Sequence, residues 1–446
     1  MTRATTFAIG LLLYAVALPV HAATITVTNT NDSGPGSLRH ALTIANDGDT
    51  IGFAVTGTIS LTSGELVIDK NITISGPGLL TVARDQQAAD FRIFNIPPSH
   101  TAEIDGLTIT GGSLVGNGGG ISSGATLTIS NCAISGNSIL TTDGLQHSGA
   151  GIYNVGTMTI VNSTVNNNQA LIGGFFPPSG GGISSDVGTL TIQNTTISEN
   201  TVAGSGWGGG VYNAGSLTAI NSTIRGNTAS SGGGIFGGGA TIINCTISGN
   251  SAVFEGGGIF GGGTISNCTI SGNMTTVGHS RGGGISGSGT ITNSTFSDNL
   301  SVNGSSICAL GTVQLANTIL NSGANIFLLG GTVTSHGYNL SSDNGGGFLN
   351  GPGDQINTDP LLGPLQDNGG PTFTHELLPG SPAIHTGDPN FTPPPTYDQR
   401  GNPFVRVFGG RIDIGSFEVQ PIPRATPTPR PRSTPRPRPL RQLHLL

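Results

Sequence analysis

Two stretches of this chain are near copies of one another. Gly232-Gly233-Gly234-Ile235-Phe236 leads into Asn244-Cys245-Thr246-Ile247-Ser248-Gly249-Asn250. Gly256-Gly257-Gly258-Ile259-Phe260 leads in the same way into Asn267-Cys268-Thr269-Ile270-Ser271-Gly272-Asn273. Asn244 and Asn267 are 23 residues apart, and so are Asn250 and Asn273. A fixed period in the low twenties marks a solenoid, in which each repeat is one coil that buries its apolar face only against its neighbours.

A looser form of the pattern extends both ways. The first asparagine of each repeat falls at Asn131, Asn162, Asn194, Asn221, Asn244, Asn267, Asn293 and Asn317. Apolar residues stand four and two positions before it, as in Leu127 and Ile129 or Met158 and Ile160. Another stands three positions after it, as in Ile134, Val165 and Ile197. Even offsets before the asparagine and odd offsets after it flip the buried parity, so the chain turns a corner there. Asparagine tolerates the left-handed backbone of a tight corner. Each repeat therefore reads as a strand before the asparagine, a strand after it, and a third at Gly-Gly-Gly-Ile. The prediction is an all-β fold, a single-stranded right-handed parallel β-helix with three strands per coil. Its hand follows from the crossover rule. The asparagine column is expected to stack as an amide ladder. Many of these asparagines lie in Asn-X-Ser/Thr, which reads as corner chemistry, because an inward asparagine has no room for a glycan.

Residues 1–22 read as a secretory signal: Arg3, a mostly apolar run from Phe7 to Val20, and a Val20-His21-Ala22 cleavage site. An uncleaved anchor is the alternative. No later stretch is long and apolar enough to span a membrane, so the mature chain is expected to be exported, extracellular or at the cell surface and outer membrane. Residues 23–61 read as a cap and first strands, with Ser37 N-capping a short helix whose Leu38, Leu42 and Ala45 share a face. Residues 62–342 hold the repeats, 343–420 a loop-rich segment, and 421–446 a disordered Pro/Arg-rich tail.

With 75 Gly in 446 residues but no Gly-X-Y period, collagen is excluded. Regular Ile, Leu and Val spacing argues against a disordered linker. The net charge is −7, and six arginines sit in the tail, leaving the rest near −13. That excludes a nucleic-acid surface and leaves the tail as a possible contact to an anionic envelope. Cys132, Cys245 and Cys268 share one repeat position and read as small core residues. A Cys245–Cys268 bridge is within reach, but free thiols are preferred.

Glycoside hydrolysis needs two carboxyls about 5–9 Å apart. No column of acids repeats on successive coils: Glu199 and Asp298 share an offset but lie four coils apart. Gly278-His279-Ser280-Arg281 faintly resembles glycosidase β-helix motifs, although a solvated loop is preferred. No zinc-spaced cluster or other cofactor motif stands out. Asp354, Asp359, Asp367, Asp388 and Asp398 are candidates for calcium, with turn-forming aspartate the commoner explanation. The variable loops before each Gly-Gly-Gly stack on one edge and carry His147, Phe175, Phe176, Trp207, Phe254, His279 and Arg281. That edge is the candidate ligand-binding face, for a polysaccharide or for a surface protein of a host or neighbour. Trp207 reads equally well as ligand platform or as cover, and Phe254 as cover. An outward Thr-X-Ser column, Thr196-Ser198 through Thr295-Ser297, is a weaker candidate for ordering water.

Gly-Gly-X-Ile with Ile/Phe-X-X-Asn, as in Ile134-Ser135-Gly136-Asn137 and Phe296-Ser297-Asp298-Asn299, resembles the repeats of chlamydial-type polymorphic outer-membrane proteins. Gly36-Ser37-Leu38-Arg39-His40-Ala41-Leu42 looks like the opening of bacterial secreted β-helix proteins. Asp359-Pro360-Leu361-Leu362, Asp398-Gln399-Arg400-Gly401 and Asp413-Ile414-Gly415-Ser416-Phe417-Glu418 look like the end segment of choice-of-anchor surface proteins. The resemblance implies a surface adhesin. The chain departs from the chlamydial pattern in ending on a Pro/Arg tail rather than on strands for a barrel. The reading is a noncatalytic adhesin-like or envelope scaffold protein without a cofactor. The alternative is a polysaccharide-active enzyme, a lyase or glycoside hydrolase.

Overall fold

The structure, a computed structural model, describes residues 22–420. Apart from Ala22, the stretch expected to be a signal peptide lies outside the described residues, and so does the Pro/Arg-rich tail with the envelope contact expected of it.

The chain winds a right-handed parallel β-helix of about 11 turns. Strand Thr24–Val27 pairs in parallel with Thr50–Phe53, and from there each coil pairs in parallel with the one before, with local register shifts after Ser75 and around the glycines of Ile235–Ile243 and Ile285–Thr292. Ile104, Ile129, Ile160, Ile192, Ala219, Ile242, Ile265, Ile291 and Leu315 form one buried column, matched residue to residue by the pairings. Ile134, Val165, Ile197, Ile224, Ile247, Ile270, Phe296 and Leu320 form a second. Full burial of each branched side chain contributes about 1.5–3 kcal/mol. At the N-terminal end the helix Leu38–Ile44 buries Leu38, Ala41 and Leu42, and the Ser37 hydroxyl accepts the His40 N–H at 3.2 Å.

Three features position everything else. First, all eight corner asparagines have φ between +49° and +59°. Their side chains point out of the coil, not into it: Asn131, Asn162 and Asn194 are exposed. A left-handed corner turns the side chain away from the core, which corrects the inward placement and leaves Asn162 and Asn194 sterically open. Amide links join Asn194 to Asn162, Asn244 to Asn221, Asn267 to Asn244 and Asn317 to Asn293, at 2.8–3.2 Å.

The sealed ladder belongs to the second asparagine of each repeat. Asn137, Asn168, Asn200, Asn227, Asn250, Asn273 and Asn299 are all buried. Each Nδ2 donates to the next Oδ1 at 2.9–3.0 Å, as far as Asn299. This ladder also explains the glycine triplets. A Cβ on Gly234 would lie 2.6 Å from the Gly258 carbonyl oxygen of the next coil and 3.1 Å from the Asn250 amide. Only glycine lets the backbone come that close.

Second, the stretch read as a variable loop after the second asparagine contributes a strand in many coils. Ser113–Leu114, Ser138–Thr141, Gln169–Ile172, Thr201–Val202, Thr228–Ser231, Ser251–Glu255 and Met274–Thr275 form a separate seven-stranded parallel sheet. It covers a small core of Ile139, Ala150, Ala170, Val202 and Ala229.

Third, the C-terminal segment folds back along the coils. Its antiparallel pair Leu362–Gln366 and Thr374–Leu377 continues into loops that cover the outer face of the strands after the corner asparagine. The Thr246 hydroxyl donates to the Phe373 carbonyl at 2.6 Å, Ser271 is bonded to His375 at 2.9 Å, and the Thr295 hydroxyl accepts the Ser416 N–H at 3.0 Å. The Thr-X-Ser column is thus covered from Thr246 onward and is no open water-ordering array. Asn267, Asn293 and Asn317 are buried by the same segment. Among the described residues, no helix is long and apolar enough to cross a membrane.

Candidate functional site

The loop-edge residues fall into two groups. Trp207 and Arg281 belong to one column in which Ser148, Ser179, Trp207, Ser231, Glu255, Arg281 and Asn303 are bridged in register. Phe175 and Phe176 sit on a protruding loop, 87% and 46% exposed, packed edge-to-face on each other at 5.5 Å. His279 is exposed and stands apart from Trp207. His147 is buried, its Nε2 bound to Asp143 at 2.9 Å, so it is structural rather than ligand-facing. Phe254, expected as cover, is 50% exposed.

Trp207 is half-buried against a partner that the sequence reading passed over. Five residues on from each bridged position comes the residue that follows Gly-Gly-Gly-Ile: Tyr153, Ser184, Tyr212, Phe236, Phe260, Ser286 and Cys308, again in register. A left-handed glycine lies between the two columns, and the corner is re-entrant. A Cβ on Gly232 would lie 2.7 Å from the Phe236 Cβ. Side chains from both sides meet over this seam. The Phe236 ring stacks on Tyr212 at 5.5 Å and 13°, on Phe260 at 4.8 Å and 18°, and against Trp207 at 5.8 Å and 32°. The recurrence of Tyr or Phe directly after the glycine motif was the signal available in the sequence.

Polar groups flank the rings. Beyond Phe260, Arg281 Nη1 donates to Glu255 at 2.6 Å. At the other end, Ser184 Oγ donates to Asp186 Oδ1 at 2.7 Å. Burial, and then the Asp186 charge, push the Tyr153 hydroxyl up to about 12 and raise that of Tyr212.

No protein-family model matches the chain, and no curated protein matches it. Among solved structures it is similar to pectate lyase Pel9A, at 13% identity and a TM-score of 0.48, over 89% of this chain and 96% of that one. It is also similar to an alginate lyase from Paenibacillus sp. str. FPU-7, at 15% identity and a TM-score of 0.34, over 69% and 98% of the two chains. The likeness is one of β-helical fold, so the functional argument rests on this chain's own residues.

A second cluster of chemistry-bearing groups lies in the C-terminal segment. Asp413, Glu418 and the half-exposed His385 place one potential ligand atom each within 4.8 Å of one another, a set that could hold a metal ion. The two carboxylates are sealed, and all four of their oxygens accept backbone N–H groups, from His385, Val419, Phe408 and Asp413. Burial, with the Asp413 charge second, raises Glu418 to about 8. Beside them Asp398 pairs with Arg400 at 2.6 Å, and the Arg400 guanidinium lies 3.8 Å from the centroids of both Phe404 and Phe417. This is a close pair of acids, but it has no opening for a polymer. The aspartates proposed for calcium act as turn caps: Asp359, Asp367 and Asp388 each accept the N–H two residues on. Asp354 accepts from Asn339 and Gly351, and Asp398 binds Arg400.

Proposed function

We propose that this chain is an exported β-helix protein that holds a polysaccharide along the Trp207–Phe236 seam without cleaving it, as an adhesin-like or envelope-associated scaffold. The carrying observation is the aromatic run Trp207, Tyr212, Phe236 and Phe260 on the outside of successive coils. Aromatic groups left partly exposed, with hydrogen-bonding groups at both ends, match the apolar faces and hydroxyl rims of sugars. A run parallel to the solenoid axis suits a linear polymer.

A second reading has its own support. Glu255 and Arg281 put a carboxylate and a cation at the end of the same run. A polysaccharide-active enzyme needs such a pair as proton carrier and charge stabiliser. One assay separates the two. The protein is incubated with a polysaccharide panel while its depletion and the release of reducing or unsaturated ends are both followed. Retention without product, lost in Trp207→Ala, supports the scaffold. Catalytic turnover, abolished in Arg281→Ala, replaces it with the enzyme. The absence of both retention and product overturns the seam as a polysaccharide site and points to a protein partner.

A further inference from the structure

Where the C-terminal segment folds back, it leaves a cavity of about 320 Å³ between itself and the coils. The floor is the outward row Ser266, Thr292 and Ala316, matched residue to residue on three successive coils. The walls are Tyr338 from the last coil and the loop that carries Asp388, Phe391 and Pro394. Tyr338 and Phe391 are half-buried, and the rim at His336 and Pro394 is exposed. Ring faces combined with a few polar groups, in a volume at the lower end of ligand pockets, are what a small-molecule site needs.

The corner asparagine ladder is interrupted here. Asn267 donates to Asn244 and Asn317 donates to Asn293, but among the described residues Asn293 makes no link to Asn267, whose Oδ1 is left buried without a partner. Asn293 lines the cavity and is 6% exposed. Its Oδ1 is used twice, accepting from Asn317 at 2.9 Å and from Arg406 at 3.3 Å. Its Nδ2 has no partner among the described residues, and unlike the Asn267 and Asn317 oxygens it is not sealed off. An amide N–H held out of bulk water without an acceptor is unfavourable, and a ligand oxygen relieves it. Ser266 Oγ accepts from Thr292 at 3.1 Å and keeps its own proton to donate. One Asp388 oxygen caps the Asn390 N–H at 2.9 Å, and the other is free to accept.

The lining carries no lysine or arginine, and Asp388 is its one carboxylate. An anionic ligand therefore finds no counter-charge. A neutral sugar brings C–H faces for the rings and the proline, an acceptor for Asn293 and Ser266, and hydroxyl donors for Asp388.

We propose that this cavity binds one neutral sugar ring, with a sugar oxygen accepting the Asn293 amide N–H and a hydroxyl donating to Asp388. The site shares no residue with the Trp207–Phe236 seam and does not depend on it. The test is titration calorimetry and saturation-transfer NMR of the full protein with glucose, xylose, mannose and galactose, against glucuronate and galacturonate. Two variants are measured alongside, each with a thermal melt. Asn293→Asp keeps the acceptor used by Asn317 and Arg406 and removes the free donor. Phe391→Ala removes a wall on a half-buried loop, and it carries the test if Asn293→Asp does not fold. Expected are binding of at least one neutral sugar, no binding of the uronates, and a loss of about tenfold or more in each folded variant. Uronate binding as tight as neutral binding overturns the class of ligand. Undiminished binding in the folded variants overturns the cavity, and loss in Trp207→Ala alone assigns the sugar to the seam instead. If the unmodified protein binds no sugar, the cavity holds water only and the proposal fails.

Discussion

Gln399 Nε2 donates to Thr246 Oγ1 at 2.9 Å across 153 residues of chain, and Gln399 Oε1 accepts the Thr269 hydroxyl at 2.6 Å. One side chain thus clamps the C-terminal segment onto two successive coils. Gln399 is fully buried, so its removal leaves the Cys245 carbonyl and the Thr246 hydroxyl oxygen without its amide donor and the Thr269 hydroxyl without its amide acceptor, at about 1–3 kcal/mol. Gln399→Ala should lower the urea midpoint accordingly. Gln87→Ala, at an exposed turn, should change stability by less than about 0.5 kcal/mol. Equal effects would mean that the segment is not docked on the coils in solution.

The two asparagine columns should separate under mutation. Asn250 donates to Asn273 and to the Ile224 carbonyl, and accepts from the Asn227 side chain and backbone. Asn250→Ala breaks the ladder inside the protein and should cost at least about 1–3 kcal/mol. Asn162→Gly keeps the left-handed corner and loses one exposed link, so it should be nearly neutral. Chemical denaturation of both variants checks this, and a corner column that proved the more sensitive would reverse the assignment.

The columns also show what could be read from the sequence. The parity flip at Asn131, Asn162 and their equivalents sufficed for strands, corner and coil, because period 2 and a left-handed residue are local properties. Side-chain direction at the corner was not local: the corner asparagine was placed inward, and the ladder of the second asparagine was not read at all. The docking of Gln399 was illegible because contacts across 153 residues leave no periodic trace. The seam was half legible. Trp207 stood out by being unique, whereas Phe236 was hidden inside the repeat that defined the fold.

Glu418 should make stability fall as pH rises. Its folded value, about 8, lies above its ordinary 4.5, and burial raises Asp413 in the same direction. The folded protein therefore holds a proton that the unfolded chain releases. The contribution is complete below about pH 4.5 and is lost as pH rises through about 8. Asp32 acts oppositely: burial raises it, but bonds from Ser63, Arg39 and Thr62 outweigh that and hold it at about 2, so its contribution is lost as pH falls toward that value. Denaturation midpoints should decline between pH 6 and 9. A flat profile there would show Glu418 ionised in the fold.

All four cysteines are buried and unbridged. Burial pushes Cys132 up to about 11 and raises Cys268 and Cys308 as well, so little reactive thiolate forms in those three groups at pH 8. A thiol reagent should find almost nothing in the native protein and four groups after unfolding. Two groups after unfolding would mean a Cys245–Cys268 bridge in place of the present contact, in which the Cys245 N–H points at Cys268 Sγ at 3.4 Å.

Phe236 is the one ring of the seam that touches three others. Phe236→Ala removes the support of Trp207, Tyr212 and Phe260 together. Clustered aromatic anchors carry a disproportionate share of binding energy, so the variant should lose about 2 kcal/mol or more of affinity for a retained polysaccharide. Phe175 packs its ring on Phe176 and is 87% exposed, so Phe175→Ala should leave affinity close to unchanged. Titration calorimetry of the two variants, each first shown to melt cooperatively, distinguishes the seam from the protruding loop. Loss in Phe175→Ala with none in Phe236→Ala would move the binding face to the loop tips, where Phe254 and His279 are also exposed.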